Sequence, residues 1–279
     1  MRIKVIEQKP TSMKFMLEDS DPPTANALRR VLISDIPKMA IEDVEYNLGP
    51  IRGEDGKEYE SVAPLFDEII AHRLGLVPLP TDLKTFVKRS ECKACNGEGC
   101  PSCTIIYSLN KKGPCLVTSG DLEPIGDVKL KPVDEGIPLV KLGEGQAMLV
   151  YATAILGTAR DHAKWQVTTG VGYKYYPVVD IDNRKMNAAK APVEVCPVKI
   201  LHVRDKKVVV EHEERCTLCM TCVEKFDEGS IKVSGDPARI MFHFETDGSM
   251  SAAEALNAAL DSLDQRLTSV AAKAETLAA

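Results

Sequence analysis

The stretch Cys216 to Phe226, CTLCMTCVEKF, sets thiols at 216, 219 and 222 and puts Phe226 where a bacterial ferredoxin run, C-x2-C-x2-C-x3-C-P, has its fourth cysteine. A metal centre ties distant backbone points together, so this pattern restricts the fold more than any other feature of the chain. In two-cluster ferredoxins the fourth cysteine of each run ligates the other cluster and a proline follows it. A chain that kept one cluster would need three cysteines from one run and a lone Cys-Pro from the other. Cys196-Pro197 is that remnant. The interval VKILHVRDKKVVVEHEER reads as two β-rich segments with RDKK at the turn, a hairpin able to bring Cys196 back to Cys216, Cys219 and Cys222. One [4Fe–4S] cluster is the expectation, with loss of one iron giving [3Fe–4S]. All-thiolate sites suit zinc as well, and inert buried cysteines are the plain alternative.

A second set, CKACNGEGCPSC, places Cys92, Cys95, Cys100 and Cys103 as two C-x2-C knuckles around NGEG. Its glycines let the chain turn tightly enough for four thiolates to reach one ion, which predicts a closed structural Zn²⁺ site without an open catalytic position. A second iron–sulfur cluster or a disulfide pair are the alternatives. The remaining thiol, Cys115, reads as a small hydrophobe. His72 and His162 lack motif-spaced partners and read as packed or capping side chains. Asp180 and Asp182 read as surface carboxylates, and no nucleophile elbow, phosphate loop or dinucleotide fingerprint is present, so no catalytic residue is assigned.

With 279 residues and 44 % apolar side chains the chain can bury a core and form two or three small domains. Its nine cysteines, without an export signal, point to a reducing, cytoplasmic setting. A net charge of −6 argues against a stand-alone grip on nucleic acid, and no apolar run is long enough to span a membrane.

The two ends share one design. MRIKVIEQKP reads as a strand, and after DSDPPT a helix ANALRRVLISDIP follows, capped by Asp21 or Thr24, ended by Pro37, with Leu28, Val31 and Leu32 on one face. At the far end RIMFHFETD is a strand, Gly248 a turn, and a long helix starts at Ser251, whose spacing to Glu254 makes a capping box. Leu256, Leu260, Leu263, Leu267 and Val270 recur by fours and threes, a seam for a partner or for the chain's own sheet. The final AAKAETLAA is expected to fray. Between the ends lie short strands rich in Gly and Pro, GDVKLKPVDEGIPLVKLGEGQAMLVYATAILG among them.

Asn26 to Gly49, NALRRVLISDIPKMAIEDVEYNLG, and Leu65 to Leu83, LFDEIIAHRLGLVPLPTDL, closely resemble the α-like subunit family of cellular RNA polymerases in its archaeal form, the D-type subunit, which is related to the N-terminal domain of the bacterial alpha subunit. DHAKWQV and FHFETDGSMSAAEALNAALDSLDQRL agree with it. The resemblance implies an α+β fold: a discontinuous dimerisation domain of residues 1–45 and 236–279, an inserted β-rich domain at 46–180 carrying the 92–103 loop, and a ferredoxin-like iron–sulfur domain at 181–235. It further implies a non-catalytic assembly subunit of a DNA-directed RNA polymerase. Such a subunit pairs with the small α-like subunit L, sits beside subunits N and P, carries the large catalytic subunits and meets DNA only through the holoenzyme. The helix Asn26 to Leu32 would then lie in the dimer region and turn Arg29 and Arg30 toward a large subunit, while Leu256, Leu260, Leu263 and Leu267 would face subunit L. Cys196, Cys216, Cys219 and Cys222 match the ligands of one-cluster members. The alternative function is a ferredoxin-type electron carrier, which leaves the paired ends and the heptad-like helix unexplained.

Overall fold

The computed structural model describes residues 1–52, 56–187 and 191–278. Strands β1 (Arg2–Gln8) and β2 (Ser12–Glu18), helix α1 (Pro22–Ser34) and strand β3 (Lys38–Tyr46) open the chain. Next come β4 (Pro50–Arg52), β5 (Glu58–Glu60), α2 (Asp67–Gly75), β6 (Thr104–Lys112), β7 (Cys115–Thr118), β8 (Glu123–Pro124), β9 (Pro138–Leu142) and β10 (Ala147–Gly157). Strand β11 (Thr168–Ile181) leads to β12 (Leu201–Arg204), β13 (Lys207–Val210), α3 (Thr221–Lys225), β14 (Ile231–Thr246) and α4 (Ala252–Ala278). The fold is therefore mixed α and β, with most strands in the middle of the chain.

Two compact units divide these elements. The first comprises residues 1–7, 14–27 and 172–243. Its main sheet has the order β1-β2-β14-β11, so strands from the two ends of the sequence are neighbours. Alternation in FMLE of β2 turns Phe15 and Leu17 inward, and Phe15 stacks on Phe242 with ring centroids 5.1 Å apart. Thr24 N–H donates to the Asp21 carboxylate at 2.7 Å, so Asp21 is the cap of α1. The hairpin forms where RDKK predicts it: Leu201 pairs with Val210 and Arg204 with Lys207. Asp205 and Lys206 both take positive φ, 49° and 58°, the type I′ turn that matches strand twist.

The second unit comprises residues 8–13, 28–171 and 244–279. Its larger sheet has the order β3-β10-β6-β8. In TIIYSLNKK of β6, period-two alternation buries Ile105, Tyr107 and Leu109, and Tyr107 O–H donates to Leu130 O at 2.6 Å. Two segments of the middle are not strands. DEIIAHRLG is the helix α2, with Asp67 and Glu68 at its positive end, His72 and Arg73 at its negative end, and Ile70 and Leu74 buried one turn apart. Val128–Leu130 is a single 3₁₀ turn, started by Asp127, whose carboxylate accepts from Lys129 N–H.

Helix α4 begins with the expected reciprocal cap: Ser251 N–H donates to Glu254 at 2.9 Å and Glu254 N–H to Ser251 Oγ at 3.3 Å. Those hydrogen bonds hold the Glu254 carboxyl below its usual range. A depressed folded-state value means that this stabilisation is present above the ordinary glutamate range and fades as pH falls through the folded value. The first turns of α4 are then sunk into the unit, with Ala252, Ala255 and Ala259 fully buried and Leu256 6 % exposed. From Asp264 onward every residue through Leu277 is exposed. The helix nevertheless continues to Ala278, through the tail whose composition predicts fraying.

Two charge clusters fasten this helix and its approach. Lys38, buried at the start of β3, donates to Lys164 O at 3.1 Å, Gln166 O at 3.3 Å and the Asp247 carboxylate, which uses all three ammonium protons. The Asp35 side chain, 2 % exposed just past α1, accepts from Arg160 at 2.5 Å and from Arg266 of α4 at 2.6 Å. Both arginines keep contact with water, so loss of Asp35 strands no buried cation. Asp35→Ala is expected to lower stability by about 1–3 kcal/mol, read as a fall in the thermal midpoint, whereas Arg52→Ala, at the exposed pair with Glu58, should be near neutral.

Candidate metal centres and partner surface

In CKACNGEGCPSC the backbone turns through left-handed conformations at Asn96, Gly97 and Gly99. Arg89 braces the turn from outside: Nε donates to Gly97 O at 2.8 Å and Nη2 to Glu98 O at 3.0 Å. The thiols that result are close, with Sγ separations of 3.6 Å for Cys92–Cys100, 3.6 Å for Cys95–Cys103 and 3.8 Å for Cys100–Cys103. A tetrahedral ion with sulfur at about 2.3 Å has edges of roughly 3.8 Å, so the set fits a single ion. It does not fit disulfides, which need about 2.05 Å. Among the described residues, these four are the set of Cys, His, Asp or Glu ligand atoms that all lie within 4.8 Å of one another. Backbone N–H groups aim at the sulfurs, Gly99 at Cys95 and Cys100 at Cys103, each 3.3 Å. The Gly99 contact draws the Cys95 thiol down to about 6, while burial pushes Cys103 up to about 12.

Cys196, Cys216, Cys219 and Cys222 line one cavity walled by apolar side chains that include Val179, Ile200, Leu201 and Val233. The β12–β13 hairpin spans the interval between Cys196 and Cys216. Their sulfurs are not among the sets within 4.8 Å of one another, a spread too wide for one tetrahedral ion. A four-iron core binds each thiolate to a different iron and suits a wider set. Leu218 and Met220, each between two of the cysteines, take positive φ of 57° and 63°. Turns of this kind gather backbone N–H groups into a concavity that suits an anionic group. Hydrogen bonds from Thr221 lower the Cys219 thiol, and burial raises that of Cys222. Phe226, 7 % exposed, fills the adjoining core with Cys196, Cys216 and Ile231, so the position of a missing fourth ligand has become packing.

The residues expected at interfaces fall into two groups. Leu28, Leu32 and Leu256 are buried in this chain's own core at 2, 0 and 6 % exposure, because they occupy the inward faces of α1 and α4. Asn26, Arg29, Leu260 and Leu263 are half-buried, and Arg30 and Leu267 are exposed. Leu267 and Val270 are 62 % and 64 % exposed on α4, and in the first unit Ile3, Val5 and Ile6 of β1 are bare as well.

Sequence spacing gives no sign of Arg89, Asp35, Arg160, Lys38 or Lys174, whose partners lie far away in sequence or are backbone atoms. His162, read as a packed or capping side chain, is a cap: Nδ1 accepts from Lys164 N–H at 3.1 Å. Asp182 is held by Arg184 at 3.0 Å and starts a short turn, in keeping with a surface carboxylate. Removing the brace at the first centre by Arg89→Ala should weaken zinc retention on the order of 10-fold, measured by competition with a chromogenic zinc chelator, with one zinc ion per chain in the unaltered protein.

The model of the RNA polymerase Rpb3/RpoA insert domain matches residues 51–175. The chain is 44 % identical over 266 residues to DNA-directed RNA polymerase subunit Rpo3 of Thermoplasma volcanium, covering 95 % of this chain and 96 % of that protein. It is 44 % identical over 269 residues to the Rpo3 subunit of Picrophilus torridus, with 96 % and 97 % covered, and 37 % identical over 277 residues to that of Methanosphaera stadtmanae, with 97 % of each. Near end-to-end similarity at this level, joined to an α+β fold with the matching insert, shows that the chain belongs to the archaeal Rpo3 family of DNA-directed RNA polymerase subunits.

Proposed function

We propose that this chain is the α-like assembly subunit of an archaeal RNA polymerase, the counterpart of the D-type subunit. It is non-catalytic itself and works in the cytoplasm by presenting a surface on which the other subunits gather. The observation that carries this reading is similarity to Rpo3 subunits over nearly the whole length of the chain. An electron-carrier role finds no support among these relatives.

The partner reading follows from what each half of α4 does. Its first turns are anchored in the chain, and its later turns carry Leu267 and Val270 in water. Burying each against a partner is worth about 1.5–3 kcal/mol before ordering costs, and permanent subunit interfaces are apolar in this way. Subunit L is the partner assigned to this surface. Subunits N and P and the large catalytic subunits are assigned to the remaining faces, with Arg29 and Arg30 turned toward a large subunit. Domain limits of 1–45 with 236–279, 46–180 and 181–235 go with this assignment.

For the metals, the narrow set of Cys92, Cys95, Cys100 and Cys103 is assigned structural Zn²⁺, and the wider set of Cys196, Cys216, Cys219 and Cys222 one [4Fe–4S] cluster, with [3Fe–4S] as its oxidised product. When bound, each group supplies a cross-link between backbone segments. The thiolates hold it, and at the second site apolar side chains line the cavity around them while Cys219 stays exposed.

Two measurements test this. Anaerobic co-expression with the small α-like partner should give a stable heterodimer containing iron, sulfide and zinc, and the pair Leu267→Asp with Val270→Asp should abolish co-purification while leaving the thermal midpoint of the lone chain unchanged. Cys216→Ser with Cys219→Ser should remove the visible absorption of the cluster. Retained pairing and recruitment of the large subunits in that variant would make the cluster dispensable for assembly.

A further inference from the structure

Lys174, on β11, is directed at the backbone that carries one of the cluster cysteines. Its Nζ donates to Glu214 O and to Cys216 O, each at 2.7 Å. A second tie joins the same short segment to the same strand: Val179 N–H donates to the Glu213 carboxylate at 2.7 Å. Residues Glu213–Arg215 form a single 3₁₀ turn that enters directly on Cys216. The turn is thus clamped to β11 at two places, and the thiolate that follows is set by the clamp. Both clamped and clamping residues lie in the first unit.

We infer that Lys174 is a positioning residue for the iron–sulfur centre, fixing the Cys216 carbonyl and placing a positive charge beside a cluster that four thiolates leave net negative. The inference rests on the assignment of Cys196, Cys216, Cys219 and Cys222 as ligands. A lysine that merely stapled the turn would stabilise the fold whatever occupied the cavity. A cation bonded to the carbonyl of a ligand cysteine does more, because added negative charge on reduction is favoured by a nearby positive charge and hydrogen bonding around the ligands tunes the potential. Half-buried surroundings keep that field from being fully screened.

The test uses the full chain, co-purified anaerobically with its small partner, as the unaltered protein, Lys174→Met and Lys174→Arg. Iron and sulfide content, the rate of iron loss to a chelator and the reduction potential are measured on each. Lys174→Met is expected to release iron on the order of 10-fold faster and to show a more negative potential, and Lys174→Arg to stay near the unaltered protein in both. Unchanged release and potential in Lys174→Met would overturn the inference. If that variant does not accumulate, Lys174→Gln is measured in its place, and an unchanged potential there overturns it equally. An unaltered protein free of iron defeats the ligand assignment itself, a failure distinct from that of Lys174.

Discussion

The apolar stripe of the last helix is longer than the core beneath it. Ala252, Ala255, Leu256 and Ala259 settle into the second unit, and small side chains at three of those places let the helix backbone approach closely. Past Ser262 the same periodicity continues into water, where Leu267, Val270 and Leu277 stand 62, 64 and 89 % exposed. A helix held at one end only would fray under its own entropy, so its anchorage decides how much of it is presented. Polar contacts add to the anchorage: the Ser251–Glu254 box, Lys38 on Asp247, and Asp35 gripping Arg266. Apolar contact supplies most of the free energy, while these polar contacts fix the direction in which the uncovered length points.

The cysteine-bearing segment of the first unit has a limited core. The hairpin region around Cys196 and Cys216 buries few large side chains, with Phe226, Ile200, Leu201 and Ile231 the main ones. Small domains of that kind usually need a cross-link, which the group proposed for the four thiolates would provide. The two cysteine sets differ in geometry. One crowds its sulfurs to 3.6–3.8 Å around a tight glycine turn, and the other spreads them around an apolar pocket. No reacting position is needed in either for the assembly role.

Much of this is legible in the order of residues. Cys-Pro at 196 and the 216–222 run, the RDKK turn, the Asp21 cap and the Ser251–Glu254 box are local patterns, and each rule behind them acts over a few residues. Helix α2 escapes such a reading because DEIIAHRLG is short and flanked by strand-like sequence, so its charge polarity is a weaker signal than its surroundings. The division of labour along α4 is also hidden. Leu256 and Leu267 belong to the same run of fours and threes, and only the extent of the underlying core makes one buried and the other bare. The same limit applies to Leu28 and Leu32, whose apolar face is readable but whose occupant is the chain itself. Long-range partners such as Asp35 with Arg160, or Lys174 with Cys216 O, have no sequence signature at all.

The central claim is that the outer half of the closing helix is a surface awaiting another polypeptide. Amide hydrogen exchange across residues 252–278, on the chain alone and in complex with the small α-like subunit, tests it most directly. Slow exchange is expected at Ala255–Ala259 in both states, with rapid exchange beyond Asp264 that becomes strongly protected when the partner is added. Protection beyond Asp264 already present in the isolated monomer, or exchange there unaltered by the partner, would contradict it.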